Sequence, residues 1–270
     1  MKVQIDTNCS IEYAVHGSGP AVLFIQGVGV HGGGWLPQVD ALSSRFTCIT
    51  FDNRGIGGSE WTHQDELSVE QMANDALAVL SHSGHPQAHV VGHSLGGTVA
   101  LAMALENRIA VRSLALLCTF PSGRLVAPLT ARMIWLGIRA RLGTRSMRRR
   151  GFLGIVAPPG PIANADKLAD QMSALFGHDI ADQPPIANKQ LRALKRANLT
   201  ERLSQLEGLP TLVVSAQHDP IGPPASGKAI AERIAGARFV EFAGASHGLP
   251  ITHATETNSL LVNFLTDAQT

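Results

Sequence analysis

The chain has few of the features that would assign it to a membrane, a nucleic acid or an oxidising compartment. Charged residues fill only 16% of its 270 positions, and 22 basic against 21 acidic side chains leave a net charge of +1. That balance gives no electrostatic reason to expect a nucleic-acid or membrane partner. Cysteine is scarce: Cys9, Cys48 and Cys118 are odd in number, far apart and set in apolar, strand-like runs. Such a set reads as buried free thiols in a reducing compartment, not as a disulfide framework. The opening Met1-Lys2-Val3-Gln4-Ile5-Asp6 has no apolar signal core, and no uninterrupted apolar run reaches membrane length. A cytoplasmic location is the expectation. What is present is a hydrophobic content of 44%, enough for a substantial core in one large α/β domain or a core with an insertion.

Strand-like runs alternate with helical ones, which predicts a mostly parallel central sheet with helices on both faces. Residues 3–6 and 10–15 alternate in polarity and suit an antiparallel edge hairpin, whereas 21–26 and 46–51 are near-continuous apolar runs, as expected of strands buried on both sides. Ser68 and Gln71 form a capping-box signal, and Val69, Met72, Ala73, Ala76, Leu77 and Leu80 follow at the spacing of one buried helix face. From about Arg124 to Leu206 the alternation lapses and helical patterns dominate, broken by Pro158-Pro159-Gly160-Pro161 and Pro184-Pro185. The expected organisation is a core over 1–123, an inserted helical cap over 124–206 and the rest of the core over 207–270.

Chemistry concentrates at Gly92-His93-Ser94-Leu95-Gly96-Gly97. A short apolar run, 88–91, precedes it, and a helical run rich in small residues, 98–105, follows. A Gly-x-Ser-x-Gly between strand and helix is the nucleophile-elbow context, in which the serine sits on a sharp, strained turn with its hydroxyl exposed. A serine hydroxyl needs a base to take its proton, and a carboxylate usually orients that base. In the elbow-bearing fold these partners follow in the order Ser, acid, His. Asp219 stands in the loop after the apolar run ending at 215, and His247 in a glycine-bracketed loop after the run ending at 242. Both loops are expected at the sheet edge that carries Ser94, where open parallel sheets bind ligands. The blander alternatives are a turn aspartate before proline and an exposed loop histidine.

His253 falls near the start of the last helix, and His218 is too close to Asp219 to hold the separate base position. An oxyanion needs two donors. One is the Leu95 amide, directly after the nucleophile. The other is expected from the loop Gln26-Gly27-Val28-Gly29-Val30-His31-Gly32-Gly33-Gly34, with the Val28 amide the candidate. Five glycines there allow close backbone approach, although such a loop also serves as a plain tight connection.

These residues, with the turn Asp52-Asn53-Arg54-Gly55-Ile56-Gly57-Gly58-Ser59, make the chain resemble the α/β-hydrolase superfamily over nearly its whole length, and within it the capped bacterial esterase and enol-lactonase branch. The resemblance implies hydrolysis of a carboxylic ester through an acyl-enzyme, with catalytic Ser94, His247 and Asp219, an oxyanion hole of Leu95 and Val28, and a small-molecule ester or lactone as substrate. It implies no metal or organic cofactor, and a structural role for the Asp52–Ser59 turn. Lactonase, thioesterase, perhydrolase and carbon–carbon hydrolase activities use the same triad, and a hydrolase-like small-ligand receptor is a further alternative. The chain departs from its relatives at Gln26-Gly27, where they usually carry His-Gly.

Two patterns compete for attention. His82, His85, His89 and His93 are spaced like helical metal ligands, but Gly84 and Pro86 break any common helix face. Arg139, Arg141, Arg145, Arg148, Arg149 and Arg150 form a basic cluster, read as a solvated face balanced by Asp166, Asp170, Asp179 and Asp182 in preference to a landing site for an anionic substrate. Met133, Trp135, Leu136 and Met172 are candidate acyl contacts of the cap, with packing of the cap onto the core the alternative.

Overall fold

The computed structural model describes residues 1–62, 66–124, 130–162 and 164–268, apart from the side chain of Arg132. Residues 125–129 of the expected cap lie outside the described residues. In chain order the elements are β1 (Lys2–Asp6), β2 (Cys9–His16), β3 (Ala21–Ile25), α1 (Leu36–Leu42), β4 (Thr47–Phe51), β5 (Glu60–Trp61), α2 (Val69–His82), β6 (Ala88–His93), α3 (Leu95–Glu106) and β7 (Val111–Leu117). Four helices follow, α4 (Ala131–Arg139), α5 (Arg145–Val156), α6 (Ala165–Phe176) and α7 (Ala187–Arg196). The chain then returns through β8 (Thr211–Ala216), α8 (Pro224–Ala231), β9 (Arg238–Phe242), α9 (Leu249–Thr252) and α10 (Ala254–Asp267).

One sheet runs in the order β1-β2-β4-β3-β6-β7-β8-β9, with the short β5 alongside β2. The β1–β2 hairpin and the β2–β4 and β2–β5 pairs are antiparallel, and every pair from β4 through β3 to β9 is parallel. Every residue of β3, β4 and β8 is buried, which explains why those strands read as unbroken apolar runs. The core lies in layers. Helices α2, α3 and α8 pack one face through Met72, Val79, Val99, Met103 and Ile230. Helices α1 and α10 cover the other through Val39, Leu42, Leu261 and Leu265. A third apolar cluster joins α5 and α6, through Leu153, Val156, Met172 and Phe176, to Val30 in the loop after β3.

This topology places the site. From β3 the chain steps to β4 on one side, then α2 carries it across to β6 on the other side of β3. The loops after β3 and β6 leave the sheet at this reversal, and a crevice opens between them at the C-terminal ends of the strands. Both loops are the ones singled out by sequence.

The capping box of α2 is complete. Ser68 Oγ accepts from the Gln71 amide at 3.1 Å, and Gln71 Oε1 accepts from the Ser68 amide at 3.3 Å. The turn after β4 is structural. Asp52 accepts from the Gly32 and Gly58 amides at 2.7 and 3.0 Å, which ties it to the loop after β3. Arg54 is buried and donates from Nε and Nη2 to both oxygens of buried Asp75 in α2, at 2.6 and 2.5 Å. All three cysteines are free and buried, and burial pushes Cys9 up to about 11 and Cys48 up to about 12. Among the described residues no helix is long and apolar enough to cross a membrane.

Breaking a buried ion pair leaves an uncompensated charge, whereas replacing both partners by apolar groups does not. Asp75→Leu alone is expected to cost about 3–5 kcal/mol, and Arg54→Met with Asp75→Leu to recover most of it. Urea unfolding of the two variants checks this; equal losses in both would show that an uncompensated charge is not the source of the cost.

Candidate active site

The elbow is built by close contact. Ser94 has φ 54° and ψ −121°, one of three non-glycine residues with positive φ among those described. An L-residue holds that conformation only when its surroundings over-determine it. They do so here through the backbone: the Ser94 amide donates to Leu117 O at 2.9 Å, and Ser94 O accepts from Thr119 Oγ1 at 2.6 Å and from the Gly97 amide at 3.0 Å. A Cβ on Gly92 would stand 2.4 Å from Gly96 O, and one on Gly96 would stand 2.0 Å from Ile25 O. Strand, turn and helix pack backbone on backbone at these two positions, which is why both are glycine.

His247 and Asp219 come to Ser94 from neighbouring loops. Nδ1 of His247 is 2.8 Å from Asp219 Oδ2, and its Nε2 is 3.0 Å from Ser94 Oγ. An ionised carboxylate only accepts, so Nδ1 carries the proton and Nε2 is free to accept from the serine hydroxyl. All three side chains are buried. Asp219 Oδ1 accepts from the Ile221 and Gly222 amides at 2.8 and 2.9 Å. Burial raises the Asp219 pKa, but the His247 charge and hydrogen bond and those two amides outweigh it, so the carboxyl lies below its ordinary value. The histidine loop is fixed from two sides. His93 Nε2–H donates to His247 O at 2.9 Å, and the Gly248 amide donates to Val156 O, at the end of α5, at 2.7 Å.

A cavity of about 260 Å³ opens above Ser94 and His247. Its floor includes Gln26, Gly27, Val28 and His93, and its walls include Phe152, Ile155, Val156, Met172, Phe176, Leu191 and Leu194 from the helices between β7 and β8. The amides of Leu95 and Val28 have no protein acceptor among the described residues, Leu95 because it opens α3. Gln26 Oε1 accepts from the Gly27 amide at 3.1 Å, and a Cβ on Gly34 would stand 2.5 Å from its Nε2. The carboxamide thus ties down the amide next to Val28 and packs against the glycine-rich loop.

Of the four candidate acyl contacts, only Met172 lines this cavity. Leu136 is buried and packs within 2.7 Å of where Gly154 would carry a Cβ. Trp135 is 57% exposed and stacks under Arg139, and Met133 lines a separate hollow behind Asp219. Helical periodicity found apolar positions but could not say which of them face the pocket. Apart from Met172, the aromatic and aliphatic walls from α5 and α6 were missed for that reason.

The spaced histidines do not converge. His82 bonds to Tyr13 Oη at 2.9 Å and His89 to Ser113 Oγ at 2.8 Å. Only His93, Cys118 and His247 bring candidate metal ligands close, within 4.8 Å of one another among the described residues. Their ligand atoms are committed elsewhere: both nitrogens of His247 and Nε2 of His93 are hydrogen-bonded, and burial holds the Cys118 thiol well above its ordinary pKa. His253 caps α10 and its Nδ1 meets Thr252 Oγ1 at 3.0 Å.

The comparisons agree with this fold. A family model for the alpha/beta hydrolase fold matches residues 20–254, and the chain belongs to that family. It is 29% identical over 262 residues to RutD of Variovorax paradoxus (strain S110), named for a proposed carbamate hydrolase activity; the match spans 94% of this chain and 96% of that protein. Among solved structures it is similar to a hydrolase from Pseudomonas aeruginosa PA01, with a TM-score of 0.81 at 24% identity over 98% of this chain and 97% of that one. It is also similar to the enol-lactonase from Burkholderia xenovorans LB400, with a TM-score of 0.78 at 25% identity over 96% and 97% of the two chains.

A buried histidine, His89, and a half-buried one, His93, set the acid behaviour of the fold. Burial, with the Arg112 charge, lowers His89 to about 4, and burial, with the His247 charge, lowers His93 to about 3. An unfolded histidine binds its proton near pH 6.5. Between about pH 6.5 and 4 the unfolded chain therefore holds more protons than the folded one, and stability falls as pH falls. Urea midpoints measured from pH 7 to 4.5 should decline, and His89→Gln should flatten the decline. A flat wild-type profile would contradict the argument.

Proposed function

We propose that the protein hydrolyses a carboxylic ester through an acyl-enzyme on Ser94. The observation that carries this is the hydrogen-bonded series from Asp219 through His247 to Ser94 Oγ, at 2.8 and 3.0 Å, at the floor of a mostly apolar cavity. In the reaction Ser94 Oγ attacks the carbonyl carbon as its proton passes to His247 Nε2. Asp219 stabilises the imidazolium and holds it in place. The amides of Leu95 and Val28 receive the negative charge on the former carbonyl oxygen. Collapse expels the alcohol, which takes the proton from His247. Water then repeats the sequence, giving its proton to His247 and releasing the acid and free Ser94. The helices between β7 and β8 serve as a cap over the cavity.

The 29% identity to RutD over 94% of the chain supports a second reading, in which the attacked carbonyl belongs to a carbamate. The same residues serve, and the C–N or C–O bond of the carbamate is broken in place of the ester bond. The three buried, free cysteines support a reducing, cytoplasmic setting.

A fluorophosphonate should label the wild type and not Ser94→Ala. Turnover of 4-nitrophenyl esters should disappear in His247→Ala and fall by about 10⁴ in Asp219→Asn, as for other triad acids. His253→Ala should be mild, since that ring contacts Thr252 and not Ser94. Labelling that persists in Ser94→Ala, or severe loss in His253→Ala, would overturn the assignment. Parallel carbamate substrates decide between the two readings.

A further inference from the structure

The arginine cluster of the inserted helices separates into two kinds of residue. Arg145 and Arg149 both pair with Asp179, Arg149 also reaches Asp170 at 2.7 Å, Arg148 pairs with Asp182 at 2.9 Å, and Arg150 stands 4.0 Å from Asp166. Arg139 lies over the Trp135 ring, its guanidinium carbon 5.4 Å from the centroid. Arg141 is different. It is exposed, has no carboxylate partner among the described residues, and lines the cavity above Ser94.

Among the described residues no aspartate or glutamate lines that cavity, and apart from the two histidines Arg141 is its one ionisable wall residue. The remaining walls are chiefly apolar, so a charge held at this lip feels less screening than one on open surface. We infer that the cavity selects acyl groups that end in a carboxylate, with Arg141 binding the carboxylate while Ser94 meets the carbonyl. A guanidinium offers a planar pair of donors that matches a carboxylate. A single unneutralised cation matches a single negative charge better than a phosphate monoester's nearly double one. At about 260 Å³ the cavity suits a small acyl group. The inference names the substrate class of the reaction proposed above, and rests on that reading for the fate of the substrate but not for its binding.

The test compares 4-nitrophenyl hemiadipate with its isosteric, uncharged terminal carboxamide. Wild-type kcat/KM should favour the hemiadipate about tenfold, the scale of one charge-assisted hydrogen-bond pair. Calorimetric titration of Ser94→Ala should show a similar ratio in Kd. Arg141→Gln should bring both ratios close to one, Arg141→Lys should keep part of the preference, and added salt should reduce it. Equal binding of the two compounds, no binding of either, or a ratio indifferent to Arg141→Gln would overturn the inference. If the wild type cleaves neither ester, the acyl-enzyme reading fails, while the Kd ratio in Ser94→Ala still decides whether Arg141 reads the carboxylate.

Discussion

The backbone of Ser94 is the constraint on which the rest of the site depends. A residue at φ 54° and ψ −121° is unfavourable by itself, and conformations of that sort cost on the order of 1–3 kcal/mol. It is held because β6 lies inside a parallel sheet between β3 and β7, so neither end of the turn can relax. The Leu117 carbonyl and the Thr119 hydroxyl fix the peptide groups of Ser94 from the β7 side, and the glycines at 92 and 96 let α3 start directly against β3. The strain lifts the hydroxyl clear of the sheet and opens α3 with the Leu95 amide unpaired. In the proposed reaction, nucleophile and donor are thus products of one turn.

The second constraint is that the site is closed by a part of the chain that is not the sheet. Val156 O accepts from the Gly248 amide, and Ser246 Oγ reaches Ile155 O at 3.4 Å, so the end of α5 braces the loop that carries His247. The same α5 supplies cavity walls at Phe152, Ile155 and Val156. In the proposed mechanism, a change in how the inserted helices sit would move the base as well as the substrate wall. Substrate shape and catalytic geometry are coupled through one helix end.

Much of this was legible from sequence because local rules coincide with the global fold. Unbroken apolar runs meant strands buried on both faces, Ser68 and Gln71 meant the start of α2, and the order Ser94, Asp219, His247 matched the order in which the sheet brings their loops to one edge. The Asp52–Ser59 turn proved to be a bracket, with Asp52 holding two amides and Arg54 held by Asp75. The inserted helices were less legible. Their periodicity marks an apolar stripe but not whether a neighbouring helix, the core or a cavity covers it, and Trp135, Leu136 and Met172 met three different surroundings. The arginine cluster was read as charge balanced by aspartates, which holds for Arg145, Arg148, Arg149 and Arg150. Only three-dimensional pairing separates Arg141 from them.

Charge at the site is confined by burial. His93 and Cys118 crowd the His247 ring, and either could compete with it if ionised. Burial and the nearby His247 charge hold His93 at about 3, and burial and the Asp219 charge hold the Cys118 thiol well above its ordinary value, so both stay neutral near pH 7. Asp219, by contrast, lies below its ordinary value because its interaction with His247 and with the Ile221 and Gly222 amides outweighs its desolvation. In the proposed reaction the proton taken from Ser94 therefore creates one positive charge facing one fixed negative charge, with His93 and Cys118 both neutral beside it. The neutral His93 still acts, by holding the His247 carbonyl at 2.9 Å. A protonated ring at that position would repel the imidazolium, so the burial that keeps His93 uncharged is what lets it serve as a brace.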